Sequence, residues 1–193
     1  MKRSTSAAKA DYQDPGFAHW LSTRMQSYYS EISPARPIVL VCIGTDRSTG
    51  DSLGPLVGSM LTKRRHEGIA IYGTLNQPVH ALNLHDTLNE INERFTSPFI
   101  IAVDACLGQH TSIGTIHVAD GPMKPGAGVN KDLPPVGHMH ITGIVNVGGF
   151  MEYLVLQNTR LSIVMRMAEL ISEGLSRSLI ARRLPLTYTS LPR

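Results

Sequence analysis

Residues 38–43 read Ile-Val-Leu-Val-Cys-Ile, an unbroken apolar run rich in β-branched side chains and stopped by Gly44. A strand on a half-solvated sheet alternates apolar and polar residues. One without alternation must be covered on both faces, the position of a central strand in a parallel sheet. The next apolar residues, Leu53, Leu56, Val57, Met60 and Leu61, recur at helical spacing and predict a one-sided helix. Asp51 or Ser52 suits its N-cap, and Pro55 falls in the tolerated first turn. Residues 69–74 predict a second strand. A helix follows Pro78 and runs to about Glu93, with Leu84, Leu88 and Ile91 on one side. Phe99 to Val103 predict a third strand, closed by Asp104. Strand, helix, strand, helix, strand with short links is the pattern of a parallel α/β sheet.

The remaining segments extend that plan. Phe17 to Ile32 carries apolar residues near helical spacing and ends at the Pro-containing stretch 33–37. Ile113 to Val118 predicts a strand that arrives too soon after Asp104 for a helical crossover, so an antiparallel edge strand is expected. Residues 120–138 read as a loop dense in Gly and Pro. Residues 141–147 suit a strand or a short Gly-interrupted helix, and residues 151–157 suit a strand before the capping pair Asn158-Thr159. Residues 160–174 predict a helix. The expected architecture is a three-layer α/β fold, a mostly parallel sheet flanked by helices. Residues 1–16 are expected to form a disordered tail and residues 17–193 a single domain.

Composition narrows the partners. The net charge is +3, and much of the excess lies in the short runs 63–65 and 182–183, which suit solvated helix ends. A nucleic-acid binder would show a longer basic stripe or interleaved aromatics, so no nucleic acid is expected. No apolar stretch approaches the length of a membrane span. The two cysteines, Cys42 and Cys106, lie in or beside apolar runs without a spaced framework, which suits a reducing compartment. With a polar N-terminus lacking an apolar signal core, these features predict a cytoplasmic protein.

In an open α/β sheet, ligands gather beyond the carboxyl ends of the strands, where strand order reverses. The first and third predicted strands would end side by side there, carrying Asp51 and Asp104. Paired carboxylates raise one another's affinity for a proton, so one serves as acid and the other as base. The same two with a histidine would hold a divalent metal, with Asp51, Asp104 and His138 or His140 as the donors. Against this stands the plain N-cap role for Asp51 and a turn-organising role for Asp104. The Gly-rich turn after residue 43 matches neither Gly-x-x-x-x-Gly-Lys-Ser/Thr nor Gly-x-Gly-x-x-Gly. No Gly-x-Ser-x-Gly elbow is present.

The stretches 43–57 (Ile-Gly-Thr-Asp-Arg-Ser-Thr-Gly-Asp-Ser-Leu-Gly-Pro-Leu-Val), 103–106 (Val-Asp-Ala-Cys) and 124–131 (Lys-Pro-Gly-Ala-Gly-Val-Asn-Lys) resemble the YyaC-type sporulation proteins of spore-forming bacteria. That group is similar to the spore germination protease and, more remotely, to the hydrogenase maturation endopeptidases, which share a phosphorylase/hydrolase-like three-layer α/β fold. The germination protease carries Asp-x-Leu-Gly-Pro, an Asp-Ala pair ending a later strand and a Pro-Gly-x-Gly-Val loop, matched here at residues 51–55, 104–105 and 125–129. The resemblance implies Asp51 and Asp104 as the catalytic pair. Gly44, Thr45, Asp46, Gly126, Gly128 and Asn130 are the expected substrate-binding residues. The maturation peptidases hold nickel through Glu, Asp and His, and Asp51 would stand in for that Glu.

The function expected from these readings is a sporulation-associated, aspartate-dependent endopeptidase acting on a protein or peptide substrate. No cofactor is expected, a divalent metal such as nickel being the variant. The alternative is a non-catalytic protein that keeps the pocket to bind a peptide, a metal or a metalloprotein. Hydrolase or phosphorylase chemistry on a small molecule is a third reading, and it would require a closed pocket. The oligomeric state stays open.

Overall fold

The computed structural model describes residues 8–64, 69–125 and 133–183. Among them, six strands form one sheet: β1 (Ala8–Asp11), β2 (Ile38–Cys42), β3 (Ile69–Tyr72), β4 (Phe99–Gly108), β5 (Thr115–Asp120) and β6 (Met139–Val147), in the spatial order β1-β5-β6-β4-β2-β3. The pairs β3–β2, β2–β4 and β4–β6 are parallel, and β6–β5 and β5–β1 are antiparallel. Five helices accompany them: α1 (Phe17–Tyr29), α2 (Leu53–Lys63), α3 (Leu84–Arg94), α4 (Glu152–Gln157) and α5 (Leu161–Arg183). The protein is thus a mixed, mostly parallel α/β sheet flanked by helices.

The apolar run at residues 38–43 behaves as its composition demands. Ile38, Leu40 and Cys42 of β2 join Phe17, Leu53, Val57, Val164 and Ile171 in one buried cluster, supplied by α1, α2 and α5. Val39, Val41 and Ile43 face the other way and join Leu84 and Ile91 of α3. β4 follows the same alternation, with Phe99, Ile101 and Val103 on the first face and Ile100 and Ala102 on the second. Three layers result because both central strands are apolar on both sides. Gly54 sets the spacing between α2 and β2: a Cβ there would stand 2.1 Å from the Ile43 carbonyl oxygen.

Several expectations change. Ala8–Asp11, expected within the disordered tail, pairs residue for residue with β5 as strand β1. It thereby takes the sheet edge that was expected of β5, which is antiparallel but internal. The period-2 burial of Ala8 and Ala10 against Lys9 and Asp11 makes even this polar segment a workable half-buried strand. Residues 151–157, expected as a strand, form helix α4 instead. Their apolar residues are largely exposed, so no sheet neighbour imposes an extended form. β4 runs four residues beyond Asp104, because β6 continues to pair with it as far as Val147. Helix α5 extends past Gly174 to Arg183.

Candidate active site

Chain connectivity places the site. β2 is followed by β3 on one side, and the chain then returns to lay β4 on the other. The carboxyl ends of β2 and β4 therefore flank the point where strand order reverses, which is where open α/β sheets hold their ligands. A cavity of about 610 Å³ opens there, walled by Gly44, Thr45, Ser48, Asp51, His80, Asp104, Cys106 and Thr142 among others.

Asp104 is the sixth residue of β4, not its last. Strand alternation puts it on the α3 face, two residues past Ala102. It is only 4% exposed. Its Oδ1 accepts the Ala105 backbone N–H at 2.8 Å, and Thr142 of β6 stands opposite it in register. Burial, and after it the neighbouring charge of Asp51, push its carboxyl well above the ordinary carboxylate range.

Asp51 sits in the single 3₁₀ turn Gly50–Ser52 that leads into α2. The N-cap of α2 is Ser52, whose hydroxyl donates to the Thr49 carbonyl at 2.7 Å instead of capping the helix. Asp51 is half-buried in the cavity wall. Burial raises its carboxyl too, but the His80 ring and then the Thr45 backbone N–H work in the opposite direction. The turn is closed by the Thr45 N–H donating to the Asp51 carbonyl at 3.1 Å. Gly44 makes that closure feasible: its φ is +139°, and a Cβ would lie 2.0 Å from the same carbonyl.

The chain beyond β3 brings His80 into the site. Ile43 and Val79 form a parallel bridge, and the Gly44 N–H donates to the Val79 carbonyl at 2.8 Å. His80, the next residue, thus faces Asp51. Its Nδ1 accepts the Leu82 N–H at 3.3 Å, so the neutral ring carries its hydrogen on Nε2. His80 was not among the site residues expected from the sequence, because only the nonlocal Ile43–Val79 bridge brings it there. Ser48 was also missed: it is 8% exposed, it lines the cavity, and its hydroxyl has no partner among the described residues.

The other expected site residues divide clearly. Gly44 and Thr45 line the cavity, whereas Asp46 is exposed and outside its walls, because the turn carries it outward. Gly126, Gly128 and Asn130 lie outside the described residues. His138 is at the opposite end of the sheet, where its Nδ1 accepts the Ile100 N–H at 3.1 Å and its ring stacks on Phe99. It precedes β6, and the parallel register holds it beside Ile100, four residues before Asp104. The donor set Asp51, Asp104 and His138 is therefore not assembled. His140 also stays out of the cavity wall, with its Nδ1 2.9 Å from the Gly121 carbonyl. Among the described residues, no three His, Cys, Asp or Glu side chains gather as a metal-binding group. The cavity mouth is open, since the wall residues Leu82 and Tyr153 are 76% and 64% exposed. Among the described residues, no helix is long and apolar enough to cross a membrane.

The sequence comparisons agree with the YyaC-type resemblance read from the motifs. The family model described as "Protein of unknown function (DUF1256)" matches residues 9–174. The chain is 62% identical over 141 residues to "Uncharacterized protein YyaC" of Bacillus subtilis (strain 168), covering 73% of this chain and 69% of that one. Among solved structures it is similar to the NiFe hydrogenase maturation protease HycI from Thermococcus kodakarensis KOD1. That match has a TM-score of 0.46 at 18% identity, covering 78% of this chain and 99% of that one.

Proposed function

The chain belongs to the family described as "Protein of unknown function (DUF1256)", and from that premise we propose that it is an aspartate-dependent endopeptidase. The observation that carries the reading is the meeting of Asp51 and Asp104 in one open cavity, with Asp104 buried and its carboxyl raised by Asp51. Two carboxylates in such different surroundings divide into an acid and a base. Asp104, the more buried, holds the proton. Asp51, whose carboxyl is also raised by burial but less so, because His80 and the Thr45 N–H oppose it, is the carboxylate.

The chemistry follows from that division. Asp51 takes a proton from a water as its oxygen bonds to the substrate's carbonyl carbon. Asp104 gives its proton to the carbonyl oxygen. The C–N bond then breaks: Asp51 passes its proton to the departing nitrogen, and a hydroxyl proton of the diol returns to Asp104. The pair ends as it began, and the products are an acid and an amine. No group beyond the two carboxylates and water is required. Resemblance to the YyaC-type sporulation proteins supports placing this activity in the cytoplasm of sporulating cells.

The test is cleavage of a proteome-derived peptide library, read by mass spectrometry from about pH 4 to about pH 8, with Asp104→Asn and Asp51→Asn beside the wild type. The expected result is cleavage by the wild type and none detectable with either variant. Cleavage by Asp104→Asn at the wild-type rate would sink the mechanism. A wild type that cuts nothing would leave the binding alternative, which nickel titration then separates into peptide and metal forms.

A further inference from the structure

We infer that the cavity mouth is built to seat an apolar polypeptide segment, its side chains held by an apolar rim and its backbone by the Ser48 hydroxyl. What happens to that segment afterwards rests on the peptidase reading. Its binding rests on two separate observations.

The first is the rim. Leu82, from the link between β3 and α3, stands on one side of the mouth. Tyr153 of α4 also belongs to the cavity wall and is 64% exposed, and Phe150 and Met151, just before α4, are 89% and 55% exposed. Single exposed apolar residues are ordinary, but two in the wall of one cavity, with Phe150 and Met151 exposed next to one of them in the chain, are a docking signal. Leu82 and Tyr153 belong to the rim and to the cavity wall alike. Whatever covers the rim is therefore what enters the cavity. Inside, Met123, Leu133 and Leu156 continue the apolar lining.

The second is Ser48. A buried hydroxyl without a partner is disfavoured, and native structures rarely leave one so. This one lines the cavity, and its Oγ has no partner among the described residues. A peptide carbonyl or amide threaded past the rim supplies what it lacks. A bilayer would cover the rim without reaching Ser48. The folded surface of a second copy would do the same. An extended segment with bulky aliphatic or aromatic side chains satisfies both features together.

The probe is a set of fluorescein-labelled Gly-Ser dodecapeptides carrying paired Leu, Phe, Glu or Lys, titrated against the full chain by fluorescence anisotropy. The Leu and Phe peptides are expected to bind roughly tenfold or more tighter than the Glu and Lys peptides. Leu82→Ser and Tyr153→Ser should each remove most of that preference. Ser48→Ala should weaken every peptide alike, since it acts on the backbone. Circular dichroism and thermal melting of these variants should match the wild type, because two of the three residues are exposed. Equal affinity for all four peptides overturns the inference, as does wild-type binding by both rim variants. A concentration-dependent dimer, or flotation with phosphatidylcholine–phosphatidylglycerol vesicles, overturns it as well if Phe150→Ser abolishes the association. Selective binding without any cleavage sinks the hydrolase reading and leaves this one standing.

Discussion

The two ends of the parallel sheet treat charge in opposite ways. At the amino end, cations meet carbonyl oxygens. Arg182 of α5 donates to the carbonyls of Ser33, Pro34 and Arg36 at 3.0, 3.3 and 3.2 Å. Arg36 donates in turn to the Ser97 and Pro98 carbonyls at 2.8 and 3.1 Å, and its guanidinium covers the Phe99 ring. His138 closes the group, with its Nε2 3.1 Å from Arg36. At the carboxyl end, by contrast, a buried carboxyl faces a second one, and a buried hydroxyl has no partner among the described residues. Apart from Arg182 Nη1, which is buried without a partner among the described residues, the donors of the amino end are satisfied and hold elements together. A raised, buried carboxyl beside a second one is instead a mark of a functional site. The amino end is scaffold and the carboxyl end is site.

The sharpest way to break that contrast is kinetic. Asp51→Asn and Asp104→Asn should each lower kcat roughly 10²–10⁴-fold, the usual contribution of a positioned acid or base, with circular dichroism unchanged. Arg182→Ala, at the scaffold end, should leave kcat within about twofold by the same assay. A comparable loss from Arg182→Ala would mean that the two ends do not divide as described.

Next in size is the scaffold's own contribution. Arg182→Ala leaves three carbonyls at the α5 junction without their cationic donor. The expected cost is about 2 kcal/mol, read by chemical denaturation.

Smaller still is a pH effect at the site, whose sign follows from the direction of the shift. The Asp104 carboxyl is raised in the folded state, so the folded chain binds that proton more tightly than the unfolded chain does. The stability this contributes is present at acid pH and is lost as pH climbs past about 4, through the raised folded value. Asp104→Asn has no charge to bury. Its melting temperature should therefore exceed that of the wild type at neutral pH, and the gap should close on acidification. A variant less stable than the wild type at pH 7 would show that the carboxylate is compensated after all.

The smallest effect is expected at His138. His138→Gln should cost less than about 1 kcal/mol and leave any nickel affinity, measured by calorimetry, unchanged. A drop in nickel affinity would bring His138 to the carboxylates and undo the separation of the two ends.

Much of this organisation was readable from local pattern. The unalternating runs at residues 38–43 and 99–103 implied two central strands, and the helical spacing from Leu53 implied α2 between them. The topology that places Asp51 and Asp104 together follows from those elements and short links. Where reading failed, the determinants were nonlocal. The polar segment 8–11 becomes a strand because β5 offers a free edge. Residues 151–157 carry an apolar pattern that suits a strand, but no strand is there to pair with them. His80 has no local mark of function; it enters the site because Val79 bridges to Ile43. His138 looked available as a donor, and the register of β6 against β4 holds it at the wrong end.

That Asp51, in the turn after β2, and Asp104, on the neighbouring β4, come together was determined by sequence alone, because periodicity and short connections leave a parallel sheet few ways to wind. Which environment each carboxylate has was decided by tertiary structure. Asp104 is buried because β4 continues past it beside β6, and the burial that raises the Asp51 carboxyl is opposed because the β3–α3 link delivers His80. The partnerless Ser48 and the apolar rim across the mouth were likewise decided there. Burial and through-space charge depend on what packs nearby in three dimensions, and no spacing along the chain encodes that distance.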